Sequence, residues 1–142
     1  MDTLLHHANR VMAQLGMGHR EGIYAKALNV SLNKARVFHR TEVDIPIMFE
    51  RECVGHGRAD LIIDDLIVEI KAVQRLPKDA MAQLDKYVTN LSVVERQRFR
   101  GVVLNFCQST GVVSVYQPVN SVKRVRDRGE PPVIKRSRFF VK

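Results

Sequence analysis

A chain of 142 residues, 45% apolar and carrying a net charge of +8, has the length of one domain and the composition of a globular one. Its pI near 9.9 points toward a polyanionic partner, nucleic acid ahead of an anionic membrane surface. No apolar run approaches a membrane span and no signal-like segment opens the chain, so a soluble, intracellular protein is expected; two cysteines without ligand spacing argue against a zinc ribbon.

Residues 2–15 carry Leu4, Leu5, Ala8, Val11, Met12 and Leu15 at helical spacing, and Gly16-Met17-Gly18 ends the run. The His6-His7 pair reads as a solvated part of this helix. A second helix is expected over 19–35, with Tyr24, Ala25, Leu28, Leu32 and Ala35 as its apolar face. Glu21 falls on that face, where a carboxylate needs a partner unless the helix dipole alone holds it in the first turn. Val43, Ile45, Ile47 and Phe49 alternate, so 42–49 reads as a strand, with Pro46 marking an edge or an irregularity. Gly55 and Gly57 then suggest a bulge or a close backbone approach. Cys53 and Cys107 read as reduced thiols in apolar, core-like surroundings.

The segment from Gly57-Arg58-Ala59-Asp60 to Val68-Glu69-Ile70-Lys71 holds two apolar runs around Asp64-Asp65, the pattern of a hairpin. With Asp64 and Asp65 as turn residues, Ile63 pairs with Leu66, Ile62 with Ile67, Leu61 with Val68 and Asp60 with Glu69. Opposed residues share a face, as do residues two apart on one strand, so Asp60, Glu69 and Lys71 are expected together. Two opposed carboxylates repel, and a divalent cation between them removes the repulsion. Taken alone, Glu69 and Lys71 could equally form a salt-bridge ladder on a solvated face.

A third helix is expected from Pro77 to about residue 93, with Met81, Leu84, Val88 and Leu91 toward the core and Gln83 and Tyr87 on the adjoining face. Residues 95–100 read as a basic loop, and strands are expected over 101–106 and 112–116. The elements together predict an α/β (α+β) fold, a mixed sheet flanked by helices, in a domain spanning 1–117. Residues 118–142 read as a basic arm. Lys123, Arg124, Arg126, Arg128, Lys135, Arg136, Arg138 and Lys142 face only Asp127 and Glu130, so the arm holds +6 of the net +8. Such an arm is either a solvated tail or an electrostatic clamp on phosphates. Its apolar end, 139–141, can dock on a second copy, giving a homodimer, or fold back.

Gly18-His-Arg-Glu21-Gly-Ile-Tyr24, followed by Ile45-Pro46-Ile47, Arg58-Ala59-Asp60-Leu61, Val68-Glu69-Ile70-Lys71, Gln83 with Tyr87, and Leu104-Asn105-Phe106, resembles the GxxExxY proteins, a branch of the PD-(D/E)XK nuclease superfamily. The resemblance runs in order over about residues 3–106; Ala59 stands where the superfamily's name has proline. It implies a restriction-endonuclease-like core and a nuclease dependent on Mg²⁺ or Mn²⁺. Glu21, Asp60, Glu69 and the main-chain carbonyl of Ile70 would be the metal ligands, Lys71 would orient or activate the attacking water, and Gln83 would support it. Tyr87, Arg58 and the arm's Lys123, Arg124, Arg126, Arg128, Lys135, Arg136 and Arg138 would contact nucleic acid, DNA ahead of RNA. The alternative is a protein that keeps the fold and binds or packages nucleic acid through its basic surface with little or no turnover.

Overall fold

The computed structural model describes residues 1–118 and the backbone of residues 139–141. In chain order the elements are α1 (Asp2–Leu15), α2 (Glu21–Lys34), β1 (Arg40–Phe49), β2 (Glu52–Ile63), β3 (Leu66–Lys71), α3 (Ala80–Val94), β4 (Arg100–Phe106), β5 (Val113–Pro118) and β6 (Phe139–Val141). The strands form one mixed sheet in the order β1-β2-β3-β4-β5-β6. Only β3 and β4 run parallel, and α3 is the crossover that parallel neighbours require. The α+β class expected from the sequence is therefore the observed one. No helix among the described residues is long and apolar enough to cross a membrane.

The sheet is covered on both faces, so its central strands are apolar on both sides. One face packs Leu61, Ile63, Val68, Ile70, Leu104 and Phe106 against Leu4, Ala8, Val11, Tyr24, Leu28 and Leu32 of α1 and α2. The other packs Ile45, Ala59, Ile62, Ile67 and Val103 against Met81, Leu84, Tyr87 and Leu91 of α3. This explains why β3 is buried at five of its six positions while β1, at the sheet's edge, is mostly exposed. Pro46 sits on that edge strand, where a missing N–H is tolerated.

The β2–β3 hairpin has the expected register, with Ile63 opposite Leu66, Ile62 opposite Ile67 and Leu61 opposite Val68. Its turn is tied to β4, because Arg100 donates from its main-chain N–H to the Asp65 carbonyl (2.8 Å) and from its guanidinium to both Asp65 carboxylate oxygens (2.7 and 2.9 Å). A two-residue turn at Glu50-Arg51 joins β1 to β2, with φ of 47° and 67°, the left-handed pair that matches strand twist.

Several expectations differ from the structure. His7 is buried, with its Nδ1 2.7 Å from Ser31 Oγ of α2, because position 7 lies on the same helix face as Leu4, Ala8 and Val11. Cys53 is exposed, because β2 begins well before the helices cover it; only Cys107 is buried. Tyr87, placed beside the core by its spacing, belongs to the α3-side core. Phe99 is likewise buried within the segment read as a basic loop. The backbone of 139–141 adds β6 to the edge of β5, pairing Tyr116 with Val141, in keeping with the fold-back, one of the two readings of that segment.

Candidate active site

The sheet breaks its own alternation where Asp60 stands. Gly57 and Ala59 face α3, as does Ile62, whereas Leu61 and Ile63 face α1 and α2. A strand of strict period two cannot place residues 59 and 62 on one side. The ladder between β1 and β2 skips the Glu42/Asp60 position, going from Thr41–Leu61 to Val43–Ala59, and Glu42 takes φ of 51°. The pairing of β2 with β3 also stops at Leu61–Val68, so Asp60 is not the ladder partner of Glu69 as the sequence suggests. Instead the Asp60 carboxylate accepts the Ile70 N–H at 2.8 Å. A side chain takes the place of a strand, and that fixes the carboxylate beside the end of β3.

Glu69 lies one residue before Ile70, 8% exposed, and its Oε1 is buried without a hydrogen-bond partner. Burial pushes its carboxyl up to about 8; the neighbouring Asp60 carboxylate and, more weakly, Glu21 push the same way, opposed by Lys71 and the Asp60 main chain. A buried carboxyl with one orphaned oxygen is costly to the fold. Lys71 ends β3 opposite Asn105 of β4. Asn105, 1% exposed, accepts the Val73 N–H and donates to the Val73 carbonyl, both at 3.1 Å. It therefore holds the chain that leaves Lys71.

Glu21 is the first residue of α2. Burial raises its carboxyl, the Lys71 ammonium lowers it and the Asp60 carboxylate raises it again, so Glu21 feels the charge of both. Tyr24 anchors that helix start. Its ring, fully buried, stacks on Phe106 with centroids 4.7 Å apart, and its hydroxyl donates to the Gly16 carbonyl at 2.6 Å. Gln108 completes the brace by accepting the Gly18 N–H (2.7 Å) and donating to Tyr24 Oη (3.2 Å) and the Phe106 carbonyl (2.8 Å). Gly16 and Gly18, at φ of 65° and 97°, supply the left-handed turns that bring α1 back into α2. Gln108 was not singled out in the sequence, and Asn105 only within a motif; a loop glutamine and a strand asparagine carry no periodic signal.

On the α3 face, Gln83 Nε2 donates to Tyr87 Oη at 3.0 Å, with Gln83 itself exposed. The Tyr87 ring lies against Gly57, where an added Cβ would come within 2.4 Å of Cε1, so the glycine admits the tyrosine. Among the described residues no hydrogen bond ties Gln83 or Tyr87 to Lys71. Arg58 is exposed, 3.7 Å from Glu42. Lys123, Arg124, Arg126, Arg128, Lys135, Arg136 and Arg138 lie outside the described residues.

A buried acid thus stands beside a second acid and a lysine at the end of a central strand. The model of the PD-(D/E)XK nuclease superfamily matches residues 1–116. The chain belongs to the PD-(D/E)XK nuclease superfamily. No curated protein and no solved structure matches it. Residues 1–116 are thus a nuclease-type domain, and the match ends within β5.

Among the described residues no three His, Cys, Asp or Glu side chains lie close enough to hold an ion together. Two carboxylates and a main-chain oxygen would still suit divalent cations that keep most of their water. These ions take one or two protein carboxylates and keep several waters, and the orphaned Glu69 Oε1 is an oxygen that a cation would satisfy.

Proposed function

We propose that this superfamily member, of the GxxExxY branch, is a divalent-metal-dependent nuclease that hydrolyses phosphodiester bonds in nucleic acid, DNA ahead of RNA. The observation that carries the reading is the buried, unpartnered Glu69 oxygen beside Asp60 and Lys71. A fold that needed only stability would have no use for it. Asp60 and Glu69 would hold the ion, and Glu21 and the Ile70 carbonyl would offer further oxygens if they close on it. When bound, Mg²⁺ or Mn²⁺ polarises the phosphoryl oxygen and makes a bound water a better nucleophile.

The chain's own residues supply the rest. The Lys71 ammonium stabilises charge developing on the phosphate and positions the attacking water. Asp60, fixed by the Ile70 N–H, keeps its second oxygen available to the ion. Gln83 and Tyr87 wall the site on the α3 side, and Arg58 with the basic segment after residue 117 contacts phosphates. Purified protein incubated with DNA and RNA substrates is expected to cleave only with Mg²⁺ or Mn²⁺. Lys71→Ala and Asp60→Ala are each expected to reduce the rate by at least about a hundredfold. Cleavage that persists unchanged in either variant would sink the assignment.

A second reading is favoured by the looseness of the acids, of which no three converge among the described residues. The protein then binds nucleic acid through its basic surface without useful turnover. Salt-sensitive binding of an intact substrate, with no cleavage in Mg²⁺ or Mn²⁺, selects it.

A further inference from the structure

The β1–β2 hairpin carries a second cluster of reactive side chains that the phosphodiester site does not use. In a regular strand, residues three apart point to opposite faces. Cys53 and His56 are three apart, but the ladder pairs Ile47 with Gly55 and Met48 with Cys53, leaving Val54 as an extra residue in β2. This bulge brings Cys53 into phase with His56. The same face of β1 carries Asp44, two residues from Pro46, the cross-strand partner of His56.

The three side chains meet. Cys53 Sγ lies 3.7 Å from His56 Nε2, and His56 Nδ1 lies 2.9 and 3.0 Å from the two Asp44 carboxylate oxygens. The carboxylate holds the hydrogen on Nδ1, which leaves the Nε2 lone pair facing the thiol. The Gly55 carbonyl, 3.3 Å from Sγ, is the thiol's other acceptor; it can take a hydrogen bond but not the proton. The side chains of Asp44 and His56 are well exposed, and so is Cys53, so a small molecule can reach the sulfur.

We propose that Cys53 is a thiol-exchange site for low-molecular-weight disulfides, with His56 as its proton acceptor and Asp44 as the residue that positions the imidazole. The Cys53 proton passes to His56 Nε2, and the thiolate attacks one sulfur of the disulfide. A new S–S bond forms, the old one breaks, and the departing thiolate takes the proton back from His56. Protons and electrons balance, with the small disulfide as oxidant. The nucleophile, base and orienting acid follow the arrangement that activates thiols elsewhere, here on an exposed sheet face.

Mixed-disulfide formation with oxidised glutathione tests this on the full chain at one pH. Tryptic peptides 52–58 and 101–123 separate Cys53 from Cys107 by mass spectrometry. Cys53 in the folded protein is expected to react at least about tenfold faster than in the urea-unfolded chain, and His56→Gln is expected to remove that advantage. Asp44→Asn slows Cys53 less, Asp44→Glu restores part of the rate, and the Cys107 peptide is unaffected in all three. Equal Cys53 rates in the folded, unfolded and His56→Gln proteins would overturn the proposal, as would a parallel slowing of Cys107, which reports a loosened fold instead of a lost base.

Discussion

Glu69 concentrates the conflict between stability and chemistry in one side chain. Its carboxyl is buried, lacks a partner at Oε1 and is pushed up to about 8 first by burial and then by Asp60. Replacing it with the uncharged isostere relieves that penalty. Glu69→Gln is expected to raise the melting temperature of the metal-free protein at pH 9 by an amount equivalent to on the order of 1 kcal/mol, while abolishing metal-dependent cleavage. Scanning calorimetry and a nuclease assay check the two halves separately. A variant that is both inactive and less stable would show that Glu69 serves the fold. The Leu61–Val68 register was legible in the sequence, but the opposed Asp60–Glu69 pair drawn by extending it does not form. The Ile70 N–H bond to Asp60 was not legible, because it depends on β2 leaving β3 one residue before the pair would form.

Helices α1 and α2 act together, and the start of α2 is held against the sheet. Tyr24 and Gln108 do this at one end, and the His7–Ser31 contact joins the two helices further along. Burial lowers the His7 pKa, and the nearby His6 and Arg10 lower it further. The folded state therefore binds a proton less readily than the unfolded chain, whose histidine titrates near 6.5. Stability from this pair is complete above that pH and is lost as pH falls through the lowered value. Urea titrations at pH 7.5 and 5.5 are expected to show the loss, and His7→Gln is expected to shrink the difference between them. The helices themselves were readable from apolar spacing; their mutual brace was not. A histidine next to another histidine looks like surface until the second helix covers it.

At the scale of the molecule, charge is divided unevenly. The residues from 123 onward hold +6 of the net +8, which leaves the preceding residues with only +2. Phosphate contacts made by such a segment release counterions, so binding weakens linearly in log salt with a slope near 0.9 per contact on duplex DNA. Replacing Lys123, Arg124, Arg126 and Arg128 with glutamine is expected to flatten that slope by about 2–4 and leave cleavage of saturating substrate at low salt intact. Fluorescence anisotropy over a salt series measures it, and an unchanged slope would show that these residues do not contact phosphate. Neutralisation is a cleaner test than truncation after Gln117, because truncation would also remove the β6 strand that pairs with β5.

What the sequence determined by itself is local and periodic. Apolar spacing placed the three helices and five of the strands, the β-branched runs around Asp64-Asp65 set the β2–β3 register, and the order of motifs named the superfamily. The tertiary structure alone decided the features made by residues distant in the chain or by broken periodicity. Gly18 and Gln108 meet across 90 positions, and His7 and Ser31 across 24. The break at Glu42/Asp60 and the bulge at Val54 shift side chains from one face to the other. A period-two reading cannot foresee them, because each is a departure from that period. Yet those two departures aim the Asp60 carboxylate at the end of β3 and the Cys53 thiol at His56.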